Sequence, residues 1–200
     1  MPLKAGSRPR PNLAVAMIVR DAADLLDATL DCMRPIADQI VVVDCGSTDR
    51  SAEIAREGGA TVIESTWQDC YSTARNECLQ RVRADWVLWL EPGEMLEETA
   101  IQQIRNFVDD SADAAKAYLM FVQRPTNSSN CWEQIGQVRL VPHKPELKFT
   151  GRGRERMLPS IVAAGMGVDA LDCIIRRSEA HCHPTRLRTK ARRNLNMINM

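Results

Sequence analysis

Apolar positions follow two rhythms along this chain. Leu13–Val19 is a nearly unbroken apolar run, the pattern of a strand buried on both faces. Residues 24–33 place Leu25, Leu26, Thr29, Leu30 and Met33 at helical spacing, and Pro35 stops that helix. Residues 40–43 form a second β-branched run that ends directly in Asp44. Gly46, Ser47, Thr48 and Asp49 then turn the chain into a helix reaching about Glu57, closed by Gly58 and Gly59. Residues 60–64 read as a third strand. Strand, helix, strand, helix, strand in quick succession is the rhythm of a parallel sheet with crossover helices.

The alternation continues through a helix over residues 71–82, a strand over 85–90 and a helix over 96–108. Beyond that point the pattern changes. Residues 117–123, 136–141, 147–150 and 171–175 read as strands without long helices between them, and a basic helix follows from about Thr185 to Met200. The fold class is therefore α/β, a Rossmann-like and mostly parallel sheet flanked by helices. Residues 1–12, polar and proline-rich, read as a loose lead-in, residues 13–184 as one domain, and residues 185–200 as a basic C-terminal helix that ends without a cap on Asn199 and Met200.

Composition adds little to this picture, and charge adds more. Two hundred residues with 44% apolar and 26% charged content suit one soluble domain. Net charge is zero, so no global field draws the chain to nucleic acid. Locally, Arg176, Arg177, Arg186, Arg188, Lys190, Arg192 and Arg193 face only Glu179. That cluster suits phosphates, an anionic membrane surface or simply a solvated helix face. Seven scattered cysteines with no C-x-x-C pair and no secretory leader suggest reduced thiols in a cytoplasmic protein. No apolar stretch approaches the roughly 18 residues of a membrane span.

In an open parallel sheet, ligands sit outside the carboxyl ends of the strands. Two predicted strands end in acids there, one in Asp44 and one in Glu91. The turn after Asp44 offers a glycine, hydroxyls and Asp49 at a helix N-terminus, where backbone N–H groups suit a nucleotide. Such turns also cap helices with no ligand present, and both readings stand. A second polar cluster opens the next helix: Asp69 can cap it, while Arg75 and Asn76 lie one turn further in. An arginine fork there would suit a diphosphate. His181, Cys182 and His183 with Cys173 match no common zinc spacing. G-x-G-x-x-G, P-loop and G-x-S-x-G motifs are missing, which argues against dinucleotide oxidoreductases, P-loop ATPases and α/β-hydrolases.

In motif order the chain resembles glycosyltransferase family 2, a large family with a GT-A fold that uses nucleotide-diphosphate sugars, and above all its bacterial branch. Residues 16–33 resemble its opening strand and helix, residues 40–65 its nucleotide-binding segment, and residues 67–94 the helix and strand that lead to its metal site. Residues 151–160 resemble its acceptor motif, and residues 190–194 its closing Lys-x-x-Arg-Asn. The resemblance implies that Asp44, Ser47 and Asp49 contact the base, usually uracil, and that Asp69, Arg75 and Asn76 line the nucleotide-sugar pocket. It implies a divalent cation, manganese or magnesium, against the diphosphate.

The matching positions differ from the family's own. Asp-x-Asp reads Glu91, Pro92, Gly93 here, so Glu91 and Glu94 are the candidate metal ligands. The opening Lys-Asn-Glu reads Arg20, Asp21, Ala22, and His-Glu reads Arg154, Glu155. Glu155 is the candidate base for an acceptor hydroxyl, and Arg154 a candidate partner of the diphosphate. The expected activity is inverting transfer of a sugar to a glycan, lipid-linked or protein acceptor, with peripheral membrane contact and no nucleic acid. The alternative is a relative without catalysis that binds a nucleotide, a glycan or a protein. A nucleotidyltransferase would need a basic glycine-rich loop near the first strand, and residues 14–20 offer none.

Overall fold

A computed structural model describes residues 10–126, 131–180 and 183–198. Most of the lead-in, the 181–182 pair of the zinc reading and the terminal Asn199 and Met200 lie outside the described residues. The strands are β1 (Leu13–Val19), β2 (Gln39–Asp44), β3 (Thr61–Glu64), β4 (Trp86–Trp89), β5 (Glu94–Met95), β6 (Lys116–Pro125), β7 (Trp132–Pro142) and β8 (Gly167–Arg177). The helices are α1 (Ala23–Met33), α2 (Ser51–Glu57), α3 (Tyr71–Arg81), α4 (Glu98–Asp110), α5 (Leu158–Ala163) and α6 (Pro184–Ile198).

All eight strands form one sheet in the order β3-β2-β1-β4-β7-β6-β8-β5. The first four are parallel neighbours, and the apolar, buried runs of β1, β2 and β4 suit such a sheet. β7 runs antiparallel to β4 and β6, and β8 runs parallel to β6. The sheet is thus mixed α/β and mostly parallel. The 147–150 segment differs from its reading as a strand: it contributes only an isolated bridge between Thr150 and Arg156. β5 and α5 are elements that the pattern did not announce.

Helices cover both faces because alternate strand residues point to opposite sides. Leu13, Val15, Met17 and Val19 of β1 pack with Leu26, Leu30 and Met33 of α1 and Ile104 of α4. Ala14 and Ala16 join Ala74 and Cys78 of α3 and Ile161 of α5 on the other face. Each fully buried leucine contributes about 1.5–3 kcal/mol, which makes α1, with Leu26 and Leu30 wholly buried, the main anchor of its layer.

The start of the domain is tied down. Arg10 pairs with Asp38 at 3.0 Å, and the Asn12 N–H donates to Asp85 at 2.8 Å. No helix among the described residues is long and apolar enough to cross a membrane.

Candidate active site

From β1 the chain passes to β2 on one side, and after β3 it crosses over to β4 on the other. The carboxyl ends of β1 and β4 therefore flank a topological switch point, where open α/β sheets leave a crevice. A cavity of about 720 Å³ lies there. Arg20, Asp21 and Ala22 line it after β1, Cys45 after β2, and Glu91 and Pro92 after β4. Arg75 of α3, Glu155, and Arg186 and Lys190 of α6 complete its charged wall.

The turn after β2 is held by its own residues. Asp44 accepts from the Ser47 N–H at 3.0 Å and the Ser47 hydroxyl at 2.6 Å. Asp49 accepts from the Ser51 N–H at 3.0 Å and, across the cleft edge, from the Ala23 N–H at 3.0 Å. Burial raises the Asp49 carboxyl, but the Ser51 hydroxyl and these N–H groups outweigh it and bring the carboxyl below its ordinary value. Asp21, held at a positive φ of 49°, accepts from the Thr48 N–H at 2.8 Å. The two loops at the mouth of the switch point are thus stitched together. Asp44, Ser47 and Asp49 stand beside the cavity, whereas Cys45 faces it.

The turn after β4 is built differently. The Glu94 N–H donates to the Glu91 carbonyl at 2.9 Å, Pro92 fills the second position, and Gly93 has φ of 85°. These are the marks of a type II turn, whose third position demands glycine. Thr29 of α1 pins it by accepting the Gly93 N–H at 2.8 Å. Glu94 is completely buried. It accepts from Arg139 at 2.7 Å, Arg177 at 2.6 Å and the Glu91 N–H at 2.8 Å. Glu94 and Arg177 are also register partners in β5 and β8, so the ion pair is cross-strand.

Glu91 accepts from Arg75 at 3.2 Å on one oxygen and from Arg177 at 3.1 Å on the other, where Lys190 Nζ also stands at 3.7 Å. Burial pushes the Glu91 carboxyl up, but the charges of Lys190, Arg177, Arg139 and Arg75 override it and hold the carboxyl well below its ordinary value. Arg75 also donates to Glu155 at 2.9 Å and lies over the rings of Trp89 and Phe149, at 5.2 and 5.1 Å.

These donors do not fit a divalent cation. A hard cation needs oxygens with free lone pairs, and those of Glu91 and Glu94 already meet guanidinium groups. Among the described residues no three His, Cys, Asp or Glu side chains gather as a metal site would require. Cys173 of the zinc reading is buried on β8. Two like unit charges 4 Å apart near a protein surface repel by about 4 kcal/mol, so each adjoining guanidinium group would oppose a cation at this place.

The other predicted residues have separate places. Asn76 exchanges two hydrogen bonds with the Phe149 backbone, at 2.9 and 2.8 Å, and so fixes the strip that leads to Glu155. Asp69 accepts from the Trp67 indole at 2.8 Å, and Arg154 is exposed. Of the expected site residues, Arg75, Glu91 and Glu155 are brought together. Arg139 joins them unannounced, and Arg177, Arg186 and Lys190 join them from the basic cluster that the sequence offers to phosphates. A signal for the last two exists in the sequence, because Arg186, Lys190 and Asn194 recur every four residues and so share one face of a helix.

An open α/β sheet with a charged crevice at its switch point defines the class of nucleotide-binding folds. The family model for glycosyl transferase family 2 matches residues 14–163, and the chain belongs to that family. A TPR repeat-containing protein of Synechococcus elongatus is 30% identical over 151 residues, which is 76% of this chain and 36% of that protein. The chain spans about a third of the length of the curated relatives it matches. Among solved structures, S. aureus TarS 1–349 in complex with UDP-GlcNAc aligns with a TM-score of 0.64 at 12% identity, covering 82% of this chain and 58% of that one. Mannosyl-3-phosphoglycerate synthase from Rubrobacter xylanophilus aligns with a TM-score of 0.63 at 15% identity, covering 94% and 73%. The fold is accordingly that of the GT-A glycosyltransferases.

Proposed function

We propose that the cleft binds a nucleotide-diphosphate sugar and transfers the sugar, with inversion, to an acceptor hydroxyl. The observation that carries this reading is the 720 Å³ cavity at the switch point, lined by the strand ends and α3 within the matched residues 14–163 and by α6 beyond them. Its volume lies in the range of small-molecule sites, roughly 300–1,000 Å³. Uridine is the base to try first, by resemblance to the family, and Cys45 and Asp21 border the place where it would lie.

Glu155 is the residue to take the acceptor proton. It lines the cavity, and Arg75 holds one of its oxygens at 2.9 Å. The acceptor oxygen would attack the anomeric carbon as the bond to the diphosphate breaks, and the proton would pass to Glu155. The acceptor is a glycan, a lipid-linked sugar or a protein, and peripheral membrane contact from the cytoplasmic side is part of this proposal.

The test is turnover of a panel of uridine, guanosine and thymidine diphosphate sugars, read as donor hydrolysis and as transfer. Glu155→Gln should lower kcat by roughly 10²–10⁴. Full activity of that variant would remove Glu155 from the chemistry. A second reading, a binding relative without catalysis, draws on the engagement of Glu91, Glu94 and Glu155 in ion pairs. Nucleotide binding without turnover of any donor would favour it.

A further inference from the structure

We propose that Lys190 takes the part of the divalent cation: its ammonium, with no metal, neutralises the diphosphate of the donor. The inference rests on reading the cleft as a nucleotide-sugar site, and it begins with the misfit of that site to a metal. The position where the family's acidic motif would hold a cation is ringed by positive side chains. Arg75 of α3 and Arg177 of β8 approach Glu91 from two elements, and Lys190 of α6 stands over it from a third.

Lys190 differs from the two arginines in one respect that matters for a ligand. The arginines are nearly buried and hydrogen-bonded to carboxylates, whereas the Lys190 side chain is 42% exposed and borders the cavity. Its Nζ is 3.7 Å from Glu91, beyond a normal hydrogen bond, so the three ammonium donors are not committed to that carboxylate. A lysine is a compact point charge that suits phosphate oxygens.

The helix is anchored so that this charge is aimed. Four residues before Lys190, Arg186 grips both carboxylate oxygens of Asp24 at 2.6 and 2.8 Å. Four residues after it, Asn194 accepts from the Tyr71 hydroxyl at 3.3 Å. The three side chains form one stripe of α6 that lies along the cleft. As the glycosidic bond breaks, the electron pair goes to the diphosphate oxygen, and an ammonium already in place stabilises the charge that develops there. Glu91, itself held by Arg75 and Arg177, then keeps a negative charge beside the Lys190 ammonium.

The experiment is calorimetric titration of uridine diphosphate, then guanosine and thymidine diphosphates, into the full chain with chelator and again with manganese. The expected result is binding of equal strength in both conditions, weakened roughly 10- to 100-fold by Lys190→Met and largely kept by Lys190→Arg. Circular dichroism checks that the variants fold, and manganese paramagnetic resonance on the wild-type chain, with and without nucleotide, should show no protein-bound metal. Binding that requires manganese, bound manganese in the resonance experiment, or a folded Lys190→Met that binds like wild type would overturn the proposal and leave the glycosyltransferase reading intact. No binding of any of the three nucleotides in either condition would overturn both.

Discussion

β2 ends in Asp44 and β4 leads within two residues into Glu91, and the two turns that follow solve the same problem in opposite ways. After β2, Asp44 and Asp49 are satisfied by hydroxyl and N–H groups, most of them within three residues. After β4, Glu91 and Glu94 are satisfied by cations brought from 16, 45, 83 and 86 residues away. The first turn is a mostly local device of neutral donors, tied only to the neighbouring loop after β1. The second is a junction where α3, β7, β8 and α6 meet. A turn of the first kind frames a cleft, and one of the second kind sets the charge inside it.

The sharpest way to break this contrast is to remove one acid from each turn. Glu94→Ala leaves Arg139, 3% exposed, without its buried counter-charge and Arg177 with Glu91 alone, and should cost about 3–5 kcal/mol in urea unfolding. Asp49→Ala removes only neutral N–H and hydroxyl partners and should cost about 1–2 kcal/mol in the same assay. Equal losses would mean that the second turn is not a charge junction.

Acid should separate the two regions less strongly. Glu91 and Asp49 both have depressed carboxyl values in the folded chain, so each binds its proton more readily when unfolded. Their stabilisation is fully present above the ordinary carboxylate values of 4.5 and 3.8 and is lost as the pH falls through the lower folded values. Unfolding free energy followed from pH 7 to pH 3 should therefore decline below about 4.5, and Glu91→Gln should flatten that decline more than Asp49→Asn. The smallest effect concerns thiols on the two sides of the sheet. Burial pushes the Cys78 thiol up to about 12 and the Cys173 thiol up to about 11. Both should resist iodoacetamide at pH 8 in the native chain, while exposed Cys131 reacts.

The same contrast explains what could be read before the fold was known. β1, β2 and β4 are legible because strands buried on both faces are written as unbroken apolar runs. β8 is exposed over its first four residues and alternates buried and exposed only from Leu171, and only its apolar middle, 171–175, stood out. β5 has two residues and exists through its pairing with β8, so no local pattern encodes it. In the site, the Asp44 turn was legible because its partners are neighbours in sequence. Glu91 was legible as an acid, but its meaning depends on Arg177 and Lys190, which only the closing of the sheet and the docking of α6 bring to it.

The most direct test of the account is a crystal structure of the chain grown with uridine diphosphate and manganese. The account predicts a nucleotide at the carboxyl ends of β1 and β4, with its diphosphate in hydrogen-bonding reach of Lys190 and no metal between. A manganese ion held by Glu91 and Glu94 with Arg177 displaced, or a nucleotide bound outside this cleft, would contradict it.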